Sequence, residues 1–298
     1  MEAIPAQTMF FFERIRRWPK LRLQLEQTFR HLGLYKQSPY QVYHLSRTDN
    51  YYTHIEYPKC GRTWLRYMLC QAQAMHFDIP LKNSIYDVSY PEYNLPLVYY
   101  VHGFDPFKGF DEFAYRHYLN KVIRPAGVIF QVRRPERVMV SYYFQCRYRN
   151  SAKSKMAPER VDEFVRDPNF GIQKYVEYVE YYYQSIQGCN HLVVRYEDLI
   201  NNTASQLGEV LNFLSIPLQE SQVNDIVLNS AKEKMREIEE QQLYKVGWLS
   251  SSQKGDENRF KVRSVKKELP EDYFDDESLQ YMREVYGQSQ VFQKLGYA

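Results

Sequence analysis

The feature that most constrains the fold is the octapeptide Tyr-Pro-Lys-Cys-Gly-Arg-Thr-Trp at residues 57–64, which separates two segments of different periodicity. Residues 51–57 are aromatic and β-branched, which predicts a strand, and the apolar residues of 65–74 recur at helical spacing. A strand that turns directly into a helix presents the first amides of that helix to a ligand, and Gly61 lets the backbone approach it closely. The octapeptide therefore predicts a loop that binds phosphate or sulfate.

Lys59, Arg62 and Thr63 add two cations and a hydroxyl to this loop. The loop is not a Walker A motif, because that motif places its lysine directly after a second glycine, whereas Lys59 precedes Gly61. ATP is therefore a less favoured ligand. An ordinary strand-to-helix turn with surface cations is the alternative interpretation of these residues.

Two further segments place polar residues after predicted buried strands. Residues 127–132 form a short apolar run that ends at Arg133, and the helical pattern that follows includes Ser141. Residues 191–194 form another such run, and Tyr196 follows it closely. Because the carboxyl ends of parallel strands meet at one edge of a sheet, these groups and the octapeptide should share one crevice. The pattern predicts an α/β domain with a central, mainly parallel sheet flanked by helices.

The motif Tyr-Pro-Lys-x-Gly-x-Thr-Trp-Leu at residues 57–65 resembles the P-loop-like 5′-phosphosulfate loop of sulfotransferases that use 3′-phosphoadenosine 5′-phosphosulfate (PAPS). Arg133 with Ser141 resembles the pair that binds the 3′-phosphate in that family. Residues 194–199 are similar to the strand that brings a tyrosine, here Tyr196, to the adenine. The motifs occur in the family's order, so the resemblance implies a PAPS-dependent sulfotransferase that releases 3′-phosphoadenosine 5′-phosphate (PAP).

The resemblance implies a set of cofactor-binding residues that departs from the family pattern at three places. Cys60 stands where serine is usual, Arg62 stands where many members have threonine, and the late basic segment at 260–263 lacks its glycine. Arg263 is the best candidate in that segment. The implied cofactor-binding residues are Lys59, Cys60, Gly61, Arg62, Thr63, Trp64, Arg133, Ser141, Tyr196 and Arg263.

The resemblance also implies a catalytic pair. Residues 95–101 form an apolar, aromatic run that ends at His102, and the catalytic histidine of the family occupies a similar strand end. His102 is therefore expected to act as the general base, and Lys59 is expected to stabilise charge on the departing phosphate. Relatives carry a lysine two residues before the histidine, where this chain has Tyr100, so Arg62 is assigned its assisting role. No metal is expected, because cations neutralise the charge.

Length and charge are consistent with a small-molecule enzyme. The 298 residues suit one domain over 1–298, with a helical N-terminal extension at 1–45 and a mobile surface loop at 243–260, although length alone also allows two domains. The net charge of +3 does not indicate nucleic-acid binding. No membrane span is visible, and four scattered cysteines indicate a reducing compartment, so a cytoplasmic location is expected. A homodimer is left open.

Two other functional classes remain as alternatives. One is a P-loop nucleotide kinase-like phosphotransferase, and the other is a non-catalytic protein that binds adenosine nucleotides. The acceptor is expected to be a small molecule with a hydroxyl or amine. Acidic and aromatic residues flank His102, including Asp87, Glu92, Asp105 and Asp111, and they predict a cationic acceptor such as a guanidinium or amine natural product. Packing and solvation of these residues are the competing interpretation.

Overall fold

The computed structural model describes residues 51–85, 97–101, 126–149, 151–244, 246–250, 257–262 and 269–298. Apart from Tyr51 and Ala126, these belong to one compact unit made of residues 52–111 and 127–298. The predicted extension at 1–45 lies outside the described residues. The prediction of a single domain over 1–298 therefore stays a prediction.

A four-stranded sheet occupies the middle of the described unit, in the order β2-β1-β3-β4. Its strands are β1 (Tyr51–Glu56), β2 (Leu97–Val101), β3 (Gly127–Val132) and β4 (His191–Arg195). β3 pairs in parallel with both β1 and β4. All residues of β3 are buried, as expected for an apolar strand that has a neighbour on each side and helices on its faces. The predicted α/β class with a parallel central sheet is confirmed.

Helices follow the strands at the same end of the sheet. Pro135 occupies the first turn of the helix after β3, where its missing amide hydrogen costs nothing, as the sequence predicts. A π-helical turn, Gln145–Arg149, continues that helix. The α-helices of the described residues are α1 (Arg62–His76), α2 (Leu81–Ile85), α3 (Pro135–Phe144), α4 (Ser151–Ser154), α5 (Val161–Arg166), α6 (Ile172–Ile186), α7 (Tyr196–Asn201), α8 (Thr203–Phe213), α9 (Glu220–Asn229), α10 (Lys232–Gln241), α11 (Asp276–Gly287) and α12 (Gln290–Lys294). Within these ranges no helix combines the length and the apolar composition that crossing a membrane requires.

A cluster of tyrosines fixes the start of the loop between β1 and α1. The ring of Tyr57, which follows β1, is 2% exposed and lies edge-on to Tyr142, Tyr175 and Tyr178, with centroids 5.3, 5.0 and 5.2 Å away. Tyr175 and Tyr178 belong to one buried face of α6, where helical spacing predicts packing. Because aromatic rings packed edge to face resist displacement, the loop leaves the sheet from a rigid position.

Both ends of the predicted mobile loop at 243–260 pack on the body of the unit. Leu249 is buried with Met235 and Ile238 of α10, and Phe260 is buried at the other end. A 3₁₀ turn, Glu257–Arg259, directly precedes Phe260, and a second, Pro270–Asp272, follows later in the chain. Residues 251–256 lie outside the described residues, so the mobility of this segment stays a prediction.

A side chain at Gly171 should destabilise this fold. An added Cβ would lie 2.4 Å from the carbonyl oxygen of Val165 and 2.6 Å from that of Asp167, so backbone atoms between α5 and α6 must move. We expect Gly171→Ala to lower the free energy of unfolding by about 1–3 kcal/mol. Gly208→Ala is the control, because nothing lies within 4 Å of its added Cβ, and alanine in a helix should stabilise by about 0.5–1 kcal/mol. Urea unfolding measures both, and equal changes would contradict the steric argument.

Candidate functional site

The loop between β1 and α1 turns through two residues of positive φ, Lys59 at 79° and Gly61 at 108°. The Gly61 carbonyl then accepts hydrogen bonds from the amides of Trp64 (3.0 Å) and Leu65 (3.2 Å), which begin α1. A Cβ on Gly61 would lie 2.5 Å from the ring of Tyr196. Glycine is therefore required at this position for both the backbone conformation and the close approach of Tyr196.

A buried ion pair joins the end of β1 to the start of α1. Glu56 accepts a hydrogen bond from the Arg62 amide at 2.9 Å, and the Arg62 Nε lies 3.3 Å from the other carboxylate oxygen. Burial raises the pKa of Glu56 to about 7, against the opposing effect of the Arg62 charge. Burial also lowers the pKa of Arg62. Arg62, which the resemblance assigns to the phosphosulfate, therefore has the Glu56 carboxylate as a partner within the protein. The role of Arg62 in binding the phosphosulfate stays a prediction.

Arg133 connects the end of β3 to the loop. Its Nη1 donates a hydrogen bond to the carbonyl of Lys59 at 3.0 Å, and its guanidinium carbon lies 4.2 Å from the centre of the Tyr196 ring. The hydroxyl of Tyr175 donates to the Arg133 carbonyl at 2.6 Å, which holds the backbone of this strand end. The buried Nε of Arg133 has no hydrogen-bond partner among the described residues. The predicted residues Lys59, Gly61, Arg133 and Tyr196 therefore lie together.

Trp64 is held beside Tyr196 by contacts from a distant segment. The two rings stand edge to face with centroids 6.2 Å apart. The Trp64 indole N–H donates to the carbonyl of Ser230 at 2.8 Å, and the Gln71 amide donates to the Ser230 hydroxyl at 2.7 Å. Ser230 is buried at the junction of α9 and α10. These bonds fix the orientation of the indole, so two aromatic surfaces border the loop where a planar base can pack.

Cys60 behaves as a small neutral neighbour of the loop. Its side chain is buried, with the sulfur 3.8 Å from the Tyr175 hydroxyl oxygen. Burial raises the pKa of the Cys60 thiol well above its usual range. A reactive thiolate requires a lowered pKa and access to solvent, so the structure favours the serine-like interpretation.

The described histidines offer no base next to the loop. His54 is buried in β1 with its ring centroid 5.4 Å from that of Tyr100, and burial lowers its pKa to about 3, which makes it a poor proton acceptor. His76 lies at the exposed end of α1, and His191 begins β4. His102 lies outside the described residues, so its catalytic role stays a prediction.

The contacts of the described residues do not test the roles predicted for the remaining site residues. Thr63 is half-buried in the first turn of α1, and Ser141 is half-buried in the second half of α3. Arg263 lies outside the described residues, as do Asp105 and Asp111. In the described ranges no cluster of histidine, cysteine and acidic side chains has the arrangement needed to hold a metal ion.

Sequence reasoning missed several residues that build the site. Glu56 carried a signal, because a carboxylate at the end of an aromatic strand directly before two cations suggests an ion pair. Tyr175 carried none, because its place in a helical stripe of tyrosines indicates packing alone. Glu197 joins separate elements, since it accepts hydrogen bonds from the Arg134 amide at 2.9 Å and from the Tyr297 hydroxyl at 2.6 Å. Ser230 could not be found, because it lies 166 residues from Trp64.

The sequence of this chain is similar to those of known proteins. A family model described as the sulfotransferase domain matches residues 55–296. The chain belongs to the sulfotransferase family. A curated relative, the 3-alpha-hydroxysteroid sulfotransferase of the guinea pig Cavia porcellus, is 26% identical over 194 residues. That match covers 62% of this chain and 66% of the relative, so the chain spans just under two thirds of that relative's length.

Solved structures share the fold. A mouse sulfotransferase, SULT7A1, complexed with PAP, has a TM-score of 0.54 at 18% identity, with 88% of this chain and 94% of that chain covered. A retinol dehydratase in complex with androsterone and inactive cofactor PAP has a TM-score of 0.52 at 14% identity, with 85% and 83% covered. At these identities the likeness shows the fold. The predicted sulfotransferase family and α/β fold are confirmed.

Replacement of Glu56 by glutamine should change how stability depends on pH. The carboxyl has a pKa of about 7 in the folded state, above the ordinary value of 4.5, so folding favours its protonated form. Its contribution is fully present below the unfolded pKa and is lost as pH rises through the folded pKa. We therefore expect the free energy of unfolding of the wild type, relative to Glu56→Gln, to fall by on the order of 2 kcal/mol between about pH 5 and pH 8.

Urea unfolding across this pH range measures the difference between the two proteins. Glu233→Gln, at an exposed position in the first turn of α10, is the control and should show a nearly constant difference. A wild-type advantage that grew with pH would show instead that the attraction to Arg62 outweighs burial.

Proposed function

We propose that this chain transfers a sulfuryl group from PAPS to a hydroxyl or amine of a small-molecule acceptor. The observation that carries the proposal is the convergence of Lys59, Gly61, Arg133 and Tyr196 beyond the carboxyl ends of β1, β3 and β4. Ligands of open α/β sheets bind in that position. Membership in the sulfotransferase family supports PAPS as the donor.

Each part of the nucleotide has a proposed set of ligands. Lys59 and the loop amides near Gly61 hold the 5′-phosphosulfate, together with Arg62 and Thr63. Arg133 and Ser141 hold the 3′-phosphate, and the buried Arg133 Nε, which has no hydrogen-bond partner in the described ranges, suits an anionic oxygen. Trp64 and Tyr196 border the adenine, and Arg263 adds a late contact.

The proposed chemistry is an in-line displacement at sulfur. The acceptor oxygen or nitrogen forms a bond to sulfur while the bond from sulfur to the 5′-phosphate oxygen breaks, and PAP leaves. His102 accepts the proton of the acceptor, and Lys59 stabilises the charge that develops on the departing phosphate. Cationic side chains neutralise the charge that Mg²⁺ neutralises in kinases, so the proposal includes no metal.

The alternatives fit the site less well. A kinase-like enzyme needs a Walker A lysine and an acidic residue that holds Mg²⁺ at a strand end, whereas β3 ends at Arg133. A non-catalytic nucleotide-binding protein needs no general base. A catalytic role of His102 would therefore distinguish a sulfotransferase from such a protein. The acceptors named with relatives, a hydroxysteroid and androsterone, support a small organic acceptor. The cytoplasmic location and the possible homodimer stay predictions.

The cationic acceptor is the finer part of the sequence prediction. It depends on Asp105 and Asp111, which lie outside the described residues. It therefore stays a prediction.

Nucleotide binding tests the donor. We expect the wild type to bind PAP more tightly than AMP, because Arg133 and Ser141 contact the 3′-phosphate. Arg133→Ala should weaken PAP binding about 10- to 100-fold and AMP binding much less, since a charge-assisted contact to the 3′-phosphate is lost. Arg134→Ala, at the exposed neighbouring arginine, is the control. Calorimetry that showed equal wild-type affinity for AMP and PAP would refute the proposed donor.

Turnover tests the proposed base. We expect His102→Ala to reduce turnover of PAPS by ~10²- to 10⁴-fold with PAP affinity nearly unchanged, because a general base contributes to the chemical step. Lys59→Ala should reduce both turnover and affinity, because Lys59 contacts the phosphosulfate in the ground state as well. His76→Ala, at the exposed end of α1, is the control. Full activity of His102→Ala would place the base elsewhere.

A further inference from the structure

Two buried tyrosine hydroxyls hold the backbone that follows β3. The Tyr175 hydroxyl donates a hydrogen bond to the Arg133 carbonyl at 2.6 Å and accepts one from the Arg133 amide at 3.2 Å. The Tyr297 hydroxyl donates to one carboxylate oxygen of Glu197 at 2.6 Å, and the other oxygen accepts from the Arg134 amide at 2.9 Å. Three consecutive backbone groups are therefore held by side chains of distant segments.

The position of these backbone groups makes side-chain partners necessary. Arg133 and Arg134 lie after the last residue of β3 and before the first residue of α3. The hydrogen-bond ladder of the sheet ends there, and the ladder of the helix has not yet begun. Polar backbone groups at such a junction need other partners, and here two tyrosines and a carboxylate supply them.

The side chain of Arg133 is held at its far end as well. Its Nη1 donates to the Lys59 carbonyl at 3.0 Å, and its guanidinium carbon lies 4.2 Å from the centre of the Tyr196 ring. Its buried Nε has no hydrogen-bond partner within the described ranges. With the backbone fixed at one end and the guanidinium at the other, the direction in which Nε points is set before a ligand binds.

Tyr175 is itself fixed by aromatic packing. Its side chain is fully buried, and its ring centroid lies 5.0 Å from that of Tyr57 and 5.7 Å from that of Phe292. Burial raises the pKa of the phenol well above its usual range, so the hydroxyl stays protonated and able to donate. The Cys60 sulfur lies 3.8 Å from the same hydroxyl oxygen, so one atom contacts both the loop and the end of β3.

Tyr297 is held in a similar way on the other side of Phe292. Its ring centroid lies 6.2 Å from that of Phe292, and the Arg195 guanidinium carbon lies 4.8 Å from the centre of its ring. Its side chain is buried, and burial raises the pKa of its phenol. Phe292 of α12 therefore packs against both tyrosines, and the two hydroxyls have fixed positions relative to each other.

We propose that Tyr175 and Tyr297 are positioning residues, which orient the Arg133 guanidinium toward the 3′-phosphate and so contribute to the selection of nucleotides that carry this phosphate. This inference rests on the proposed function. Neither hydroxyl contacts the nucleotide. Tyr175 acts through the backbone of Arg133, and Tyr297 acts through Glu197 and the amide of Arg134.

Removal of one hydroxyl at a time tests the proposal. Calorimetry on the full chain with PAP and with AMP, which lacks the 3′-phosphate, gives the ratio of the two affinities. Tyr175→Phe keeps the ring and should lower this ratio about three- to tenfold, because a misoriented guanidinium loses part of its contact with the 3′-phosphate. Tyr297→Phe should lower it in the same direction. An unchanged ratio in either variant would overturn the role of that tyrosine.

Tyr286→Phe is the matched control for the loss of a buried hydroxyl. The Tyr286 ring also packs against Phe292, with centroids 5.8 Å apart, and its hydroxyl donates to the side chain of Glu136 at 2.9 Å. We expect this variant to have a lowered Tm but a ratio within about twofold of the wild type, because its hydroxyl holds no backbone group of Arg133 or Arg134. An equal fall of the ratio in Tyr286→Phe would overturn the proposal in favour of a general loss of stability.

A double-mutant cycle shows whether Tyr175 acts through Arg133. In the Arg133→Ala background, Tyr175→Phe should leave the ratio of PAP to AMP affinity unchanged, because no guanidinium remains to be oriented. A fall as large as that in the wild-type background would overturn the positioning role. A wild type that bound PAP and AMP equally would refute the proposed donor, and with it the inference. A wild type that preferred PAP, with variants that kept the preference, would overturn the inference alone.

Discussion

The arrangement of the site depends on one hydrogen bond between strand ends, from the Arg133 guanidinium to the Lys59 carbonyl. Positive φ at Lys59 turns that carbonyl toward β3, and the parallel pairing of β1 with β3 brings the two strand ends to the same edge. The same guanidinium lies on Tyr196, whose ring in turn fills the space that a side chain at Gly61 would take. Each element therefore limits the position of the next, and the loop is preorganised for a ligand.

Several charged side chains of the described unit are buried from water. The free-energy cost of burying each charge is compensated in a different way. Glu56 and Arg62 compensate each other across the loop, although burial still dominates the pKa of the carboxyl. Lys261 has Glu239 and a backbone carbonyl, that of Gly247, as partners. The buried Nε of Arg149 has no hydrogen-bond partner within the part of the chain that the structure describes. Incompletely compensated charged groups of this kind concentrate where proteins bind charged ligands.

Most of the scaffold could be predicted from local pattern. The strand at 127–132 was predicted to the residue, because a short apolar run is a strong signal. Arg133 and Tyr196 were placed correctly next to the loop, since a parallel sheet brings its strand ends together. Tyr175 was interpreted as packing alone, because nothing in a helical stripe of tyrosines shows which hydroxyl will meet the Arg133 carbonyl.

The local sequence was sufficient for the α/β fold, the strand-to-helix loop and the family, because each is encoded in contiguous residues: a buried strand, a glycine where φ must be positive, and a helix start. Tertiary structure alone decided which distant groups complete the site. Ser230 orients Trp64, Glu197 holds the start of α3, and the Tyr175 hydroxyl holds the backbone of Arg133. Each of these hydrogen bonds joins segments that are far apart in the sequence, so no local pattern shows it and it exists only in the folded chain.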